Sequence, residues 1–175
     1  MEHRLHLYMG EGKGKTTAAM GLALRALGHG QRVLVAQFLK DGSSGELRAL
    51  EQLSGAKVWQ GPPVEKLIFC MTAEEKAAAR AMQTEQACRL ADEAARTVPQ
   101  LTVLDELALA VTLDMVDEAA ARRLIAAALA VGEVAVTGRY APAWLREAAD
   151  YVSVMVAEKH PFDTEGLPAR EGVEW

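Results

Sequence analysis

The chain has 175 residues, of which 50% are hydrophobic, so it can bury a substantial core and its length suits one domain. Its 19 basic and 24 acidic side chains give a net charge of −5, which argues against DNA or RNA as the main partner. The sequence contains no long apolar segment and no signal peptide, so we expect a cytoplasmic protein without a membrane span. Cys70 and Cys88 lack the spacing of a zinc site or a disulfide framework and are expected to be reduced thiols.

The first predicted elements are a strand, a glycine-rich turn and a helix. Residues 4–9 alternate apolar and polar side chains, and residues 16–27 form an alanine-rich helical pattern that ends at Gly28. Between them the chain reads Gly10-Glu11-Gly12-Lys13-Gly14-Lys15-Thr16-Thr17. This is a phosphate loop in which Met9 stands where the strict motif has its first glycine.

The residue types of this loop suit bound phosphate. Successive glycines let backbone amides face one concavity, and the following helix presents unpaired N–H groups and a partial positive charge. Lys15 adds a positive charge, Thr16 is placed to hold Mg²⁺, and Thr17 can donate to a further phosphate. The alternative is a glycine-rich turn that binds nothing.

Further along, residues 32–40 read as a strand of a buried parallel sheet, which makes the first helix a right-handed crossover. A short helix over 47–53 and a weak strand over 57–59 follow. A long helix is predicted from Thr72 to about Arg96, because Thr72 and Glu75 have the spacing of a capping box.

The next strand, over 101–106, ends in Asp105 and Glu106, as a Walker B element does. Carboxylates at the carboxyl end of a parallel strand point toward the crevice where the phosphate loop opens, so both can reach a magnesium ion. The alternative is an acidic cap on a following helix. The residues leave open which of the two carboxylates binds the metal.

The remaining predicted elements are helices over 116–130 and 142–149 and strands over 133–137 and 151–156. Arg139 follows one of these strands, where it either clamps an anionic ligand or caps a helix. Together the elements predict an α/β fold over residues 1–175. We expect a single three-layer P-loop NTPase domain of the RecA-like type, with a mostly parallel central sheet flanked by helices.

Several segments in order resemble the P-loop type of ATP:corrinoid adenosyltransferase. The resemblance covers nearly the whole chain. Beyond the phosphate loop, it rests on Arg25-Ala26-Leu27-Gly28-His29-Gly30, Gln37-Phe38-Leu39-Lys40, Gly45-Glu46, Val103-Leu104-Asp105-Glu106-Leu107, Thr137-Gly138-Arg139 and the Lys159-His160-x-Phe162-Asp163 tail. It identifies residues 157–175 as a C-terminal motif near the active site.

The resemblance implies that a cobalt(I) corrinoid attacks the 5′ carbon of ATP and that triphosphate leaves whole, in adenosylcobalamin biosynthesis or salvage. It also implies Mg²⁺, a homodimer and an electron donor such as a flavoprotein. Lys15, Thr16 and Glu106 are the catalytic candidates, and the metal candidates are Thr16, Asp105 and Glu106. The candidates for ATP are Gly10, Glu11, Gly12, Lys13, Gly14, Lys15, Thr16, Thr17, Arg25 and Arg139.

The resemblance further implies that apolar or aromatic residues exclude the lower axial ligand of the corrinoid, so that cobalt(II) accepts an electron more easily. Phe69 and Met71 match this segment, and His160 and Phe162 are further corrinoid candidates. The chain departs from the family pattern at Met71, where relatives carry tryptophan, and at Glu11, where they carry asparagine. Plain core packing is the alternative for Phe69 and Met71.

Two other functions are compatible with the same residues. A P-loop nucleoside kinase would use Asp105 or Glu106 as the base for its acceptor hydroxyl. A carrier or regulator would bind ATP or a corrinoid without turnover. The released product separates the three functions. A kinase releases ADP, an adenosyltransferase releases intact triphosphate, and a carrier or regulator releases neither.

Overall fold

A computed structural model describes residues 2–64 and 66–173. The strands span Leu5–Met9 (β1), Val33–Gln37 (β2), Ala56–Trp59 (β3), Leu101–Asp105 (β4), Glu133–Gly138 (β5) and Tyr151–Val154 (β6). The helices span Lys15–Gly28 (α1), Gly45–Leu50 (α2), Ala73–Thr97 (α3), Leu107–Thr112 (α4), Glu118–Leu129 (α5), Ala143–Ala148 (α6) and Pro161–Glu165 (α7), with a 3₁₀ turn at Ile68–Cys70. Glu174 and Trp175, the end of the predicted tail motif, lie outside the described residues.

The strands form one six-stranded sheet in the order β3-β2-β4-β5-β1-β6. Every strand pair in the sheet is parallel, so the sheet is entirely parallel where the sequence predicted a mostly parallel one. All strands therefore end at the same edge. The topology brings four features of the chain to that edge because each lies at a strand end: the phosphate loop, the segment after β2, the pair Asp105 and Glu106 at the end of β4, and Arg139.

The core lies on both faces of the sheet, as the alternation along β2 illustrates. Leu34 and Ala36 join a cluster that contains residues of α3, α4 and α5, whereas Val33 and Val35 join a cluster with α1 and α2. Burial of a valine or leucine side chain contributes about 1.5–3 kcal/mol. Helices thus cover both faces, which confirms the predicted three-layer α/β arrangement, consistent with a P-loop NTPase-like fold.

Most predicted elements are present, with shifted ends. The capping box of α3 is confirmed, because the Thr72 hydroxyl accepts from the Glu75 amide while the Glu75 carboxylate accepts from the Thr72 amide. The strands predicted over 32–40 and 151–156 are shorter, ending at Gln37 and Val154. The helices α4 and α7 were not predicted from the sequence. In the described part of the chain no helix has the length and apolar character to cross a membrane.

Candidate active site

The phosphate loop connects β1 to α1 and is held against two neighbouring strands. The Gly10 amide donates to the Arg139 carbonyl over 3.1 Å, and the Gly12 amide donates to the Met155 carbonyl over 2.8 Å. A Cβ atom on Gly10 would lie 2.4 Å from the Met155 carbonyl oxygen, and one on Gly12 would lie 2.8 Å from Val156. Gly10 also has a φ of 109°. These glycines therefore allow the close approach of the chain after β6, and their amides are already bonded within the protein.

Lys15, the first residue of α1, bends back over the loop. Its Nζ donates to the Gly12 carbonyl over 2.8 Å. Burial lowers the pKa of Lys15, the positive charge of Arg139 lowers it further, and Glu106 opposes both effects. Lys15, Arg139 and Glu106 thus lie close enough to influence one another. A partly buried ammonium group at a helix N-terminus suits an anionic ligand.

Asp105, at the end of β4, is fully buried and accepts four hydrogen bonds. Its Oδ1 accepts from the hydroxyls of Thr16, over 2.8 Å, and Thr137, over 2.7 Å. Its Oδ2 accepts from Gln37 Nε2 over 3.0 Å and from Lys40 Nζ over 2.7 Å. Asp105 therefore joins the first turn of α1 to β2 and β5.

Glu106 contrasts with its neighbour, because its carboxylate oxygen Oε2 is buried without a hydrogen-bond partner in the described structure. A φ of 62° turns the chain from β4 into α4 at this residue, and its amide donates to the Thr137 hydroxyl over 2.8 Å. Burial raises the pKa of Glu106, and the charge of Asp105 adds to this increase. An unpaired buried carboxylate oxygen is costly, and a cation would remove that cost.

A cavity of about 680 Å³ opens beside these groups. It is lined by the loop residues Lys13, Gly14, Lys15, Thr16 and Thr17, by Glu106 and by the segment after β2 that includes Lys40. Among the described residues no cluster of three or more His, Cys, Asp or Glu side chains forms a metal site by itself. The hydroxyl of Thr16 and the carboxylates of Asp105 and Glu106 are hard oxygen donors that fit Mg²⁺ when phosphate oxygens complete its coordination.

Lys40 and Tyr140 belong to this region, although sequence reasoning assigned them no role. Lys40 pairs with Asp105, and the hydroxyl of Tyr140 donates to Glu11 Oε1 over 2.8 Å. The carboxylate of Glu11 is thus bonded to the residue after Arg139. The only signal for Lys40 was its place in the segment Gln37-Phe38-Leu39-Lys40, which resembles the family pattern.

Arg25 does not lie with the other candidate ATP residues. It is in the last turn of α1, about 15 Å along the helix axis from Lys15. Its positive charge lies near Tyr8 and interacts favourably with the negative, carbonyl end of the α1 dipole. The structure therefore does not bring Arg25 to the cavity around the phosphate loop.

The two candidate corrinoid residues before α3 differ in burial. Phe69 lies in the 3₁₀ turn and is 79% exposed, whereas Met71 is partly buried against the main core. Met71 thus packs partly against the core, whereas Phe69 does not pack there. An aromatic side chain exposed to this extent is available to a ligand.

The tail forms a second cavity of about 440 Å³ after β6. His160 caps α7 by accepting from the Phe162 amide over 3.2 Å, and both residues line this cavity. Lys13 lines this cavity as well as the one beside Glu106. The described part of the C-terminal motif therefore adjoins the phosphate loop.

Known proteins resemble the chain over nearly its whole length. The model of the family ATP:corrinoid adenosyltransferase BtuR/CobO/CobP matches residues 2–175. A corrinoid adenosyltransferase of Pseudomonas aeruginosa is 36% identical over 180 residues, covering 98% of this chain and 83% of that protein. Those of a Sinorhizobium species and of Salmonella typhimurium are 34% and 32% identical, covering 95% and 97% of this chain and 77% and 84% of those proteins. With its phosphate loop and paired carboxylates in place, the chain belongs to the ATP:corrinoid adenosyltransferase family.

Proposed function

We propose that this chain transfers the 5′-deoxyadenosyl group of ATP to the cobalt(I) of a corrinoid and releases triphosphate, in the biosynthesis or salvage of adenosylcobalamin. Membership of the family supports ATP and a corrinoid as the substrates. The structural observation that carries the proposal is that the phosphate loop and the partly buried Glu106 side chain line one cavity, with Asp105 bonded to Thr16 beside it.

The triphosphate is the leaving group of this reaction. When cobalt(I) attacks the 5′ carbon, a cobalt–carbon bond forms, the C5′–O bond breaks, and its electron pair remains on the triphosphate. Lys13, Lys15 and Thr17 line the cavity and offer positive charge and a hydroxyl to that growing negative charge. Arg139 adds positive charge close to Lys15. We leave Arg25 out of this set because it lies at the far end of α1.

We further propose that the side chains of Thr16, Asp105 and Glu106 would hold Mg²⁺ beside the triphosphate. All three provide oxygen ligands, and the unpartnered Oε2 of Glu106 supports a cation at this position. The bound ion would neutralise negative charge on the leaving group. Thr137 keeps Asp105 and the Glu106 amide in place through its hydroxyl.

Cobalt(I) is a strong nucleophile, so the reaction needs no base and depends on alignment with the 5′ carbon. We propose that Phe69 and Met71 lie under the corrinoid and exclude its lower axial ligand, and that His160 and Phe162 contact the substrate from the tail. The exposure of Phe69 supports this role. A separate reductant, such as a flavoprotein, would supply the electron that converts cobalt(II) to cobalt(I).

A product assay tests the activity. Chemically reduced cobalamin, ATP, Mg²⁺ and the protein should yield a light-sensitive adenosylated corrinoid and inorganic triphosphate. Release of ADP in the presence of a nucleoside acceptor would instead identify a kinase. Binding of ATP and corrinoid by calorimetry, without a new cobalt–carbon bond, would identify a carrier.

We also propose that the protein is a homodimer. The edge strand β6 exposes the apolar side chains Tyr151, Val152 and Val154, which supports contact with a second copy. Light scattering at micromolar concentration should give twice the mass of the chain. The mass of a single chain would contradict the dimer.

A further inference from the structure

Lys40 forms an ion pair that connects a buried carboxylate to the cavity. Its Nζ lies 2.7 Å from Asp105 Oδ2, and its side chain is 28% exposed while that of Asp105 is fully buried. The lysine is therefore the part of the pair that solvent and ligands can reach. Its positive charge also lowers the pKa of Glu106, although burial and Asp105 outweigh it, so Lys40 lies near both carboxylates.

Asp105 has no free acceptor position in this state. A carboxylate offers about four lone-pair sites, and the four donors to Asp105 occupy them. A metal ion can therefore coordinate Asp105 only after one of the donors has moved away.

Lys40 is the donor best able to move. Thr137 is fixed in a strand and also accepts from the Glu106 amide, and Gln37 lies buried on β2. Thr16 has a short side chain held in the first turn of α1. Lys40 has a long side chain that lines the cavity, and its charge is the one that a divalent cation would replace.

The backbone around Lys40 is held in place, so movement is limited to the side chain. The Leu39 amide donates to the buried Gln83 over 3.1 Å, and the Lys40 carbonyl accepts from the Val64 amide over 3.0 Å. An ammonium released from Asp105 would stay in the cavity that also holds Lys13 and Lys15.

We infer that Lys40 occupies the position of the divalent cation in the free protein and moves from Asp105 to the triphosphate when that cation binds. The lysine compensates the buried charge of Asp105 before the substrate enters. It then adds positive charge to the leaving group. Lys40 is then a further residue that contacts the substrate, a role that rests on the proposed function.

The test uses the nucleotide-free protein with Mn²⁺ as the metal probe, and Mg²⁺ with inorganic tripolyphosphate as the anion probe. The variant is Lys40→Gln, whose amide keeps a donor for Asp105 without the charge. Mn²⁺ affinity, measured from the electron paramagnetic resonance signal of the free ion, should rise about tenfold to a hundredfold, as expected for loss of a competing charged hydrogen bond. Tripolyphosphate affinity in Mg²⁺, measured by calorimetry, should fall about tenfold.

The matched control is Lys13→Gln, which removes the same charge from the same cavity without a bond to Asp105. It should raise Mn²⁺ affinity only a few-fold. Equal increases in the two variants would overturn the inference, because long-range charge alone would then explain the result. Loss of both affinities in Lys40→Gln would also overturn it and indicate a merely structural lysine.

Reductive methylation of the wild-type protein provides a measurement that does not depend on the variant's folding. Lys40 should become more reactive when Mn²⁺ is added, and tripolyphosphate should then protect it. Unchanged reactivity on addition of saturating Mn²⁺ would contradict the release of the lysine. These binding and reactivity measurements use neither corrinoid nor adenosyl transfer. Failure of the product assay with preformed cobalt(I) would therefore count against the proposed function alone.

Discussion

At the carboxyl edge of the sheet, hydrogen bonds hold the centre in place, whereas the flanks expose apolar side chains. At the centre, the buried Asp105 carboxylate accepts four hydrogen bonds, and the phosphate loop is bonded to the chain after β5 and β6. On the flanks, Phe69 is 79% exposed and Phe162 is 62% exposed. The triphosphate half of the proposed site is thus formed in the free protein, whereas the corrinoid half still exposes apolar surface that a ligand would cover.

The largest effect on activity is expected from a substitution at the centre of the carboxyl edge. Lys15→Ala should reduce turnover by about 10²–10³-fold, because it removes a partly buried positive charge that would stabilise the leaving group. Steady-state kinetics with preformed cobalt(I) measures the loss, and circular dichroism should show an unchanged fold. Full activity of this variant would mean that the preformed centre does not take part in the reaction.

A second change tests whether the centre depends on the close approach of the loop to the chain after β6. Gly12→Ala would place a Cβ atom 2.8 Å from the Val156 backbone. The unfolding free energy should therefore fall by about 1–3 kcal/mol in urea denaturation. The matched control is Gly21→Ala in α1, where a Cβ meets no atom within 4 Å. It should stabilise the protein by about 0.5–1 kcal/mol, and equal effects of both variants would contradict the tight contact.

On the exposed flank, Phe69→Ala should leave stability within about 0.5 kcal/mol of the wild-type value, because the side chain is 79% exposed. It should slow the reaction that starts from cobalt(II) in mild reductant much more than the reaction of preformed cobalt(I). Leu67→Ala removes another exposed apolar side chain from the same segment and is the control. Equal loss from both cobalt states would contradict a role in axial-ligand exclusion.

The smallest effect concerns Asp150, which joins the start of β6 to the start of β1. Hydrogen bonds from the Leu5 amide and the Arg4 guanidinium lower the pKa of Asp150. Because the folded pKa is below the unfolded one, this stabilisation is complete above the ordinary aspartate pKa and is lost as the pH falls through the folded pKa. Asp150→Asn should therefore be less stable than wild type at pH 7, and the difference in urea midpoint should shrink below about pH 4. A difference independent of pH would exclude this ionic contribution.

The elements predicted correctly are those that have a signal in their own local sequence. The capping residues Thr72 and Glu75 located the start of α3, and β-branched apolar runs located the central strands. By contrast, α4 directly follows β4, and the apolar run Leu107–Thr112 has no polar face that would indicate a helix. The left-handed conformation of Glu106 separates the two elements, and a glutamate gives no sequence signal for it.

The candidate site was predictable where residue type and strand ends sufficed, as for the phosphate loop and the pair Asp105 and Glu106. Contacts between distant parts of the chain were not predictable from the sequence. Two examples are the pairing of Lys40 with Asp105 and the pairing of Tyr140 with Glu11. Both depend on which strands are neighbours, and the local sequence does not determine the order of strands in a sheet. Arg25 differs from these contacts, because its separation from the loop follows from the local geometry of α1, which carries it about 15 Å from Lys15.

The contact of Gly10 and Gly12 with Met155 and Val156 has a consequence for protein engineering. The loop and the chain after β6 form one interlocking unit, so neither can be exchanged alone between related enzymes without a clash or a gap. A chimera that alters nucleotide preference should transfer residues 9–17 together with residues 154–157. Swaps that break this unit are expected to fail in folding before they can report on chemistry.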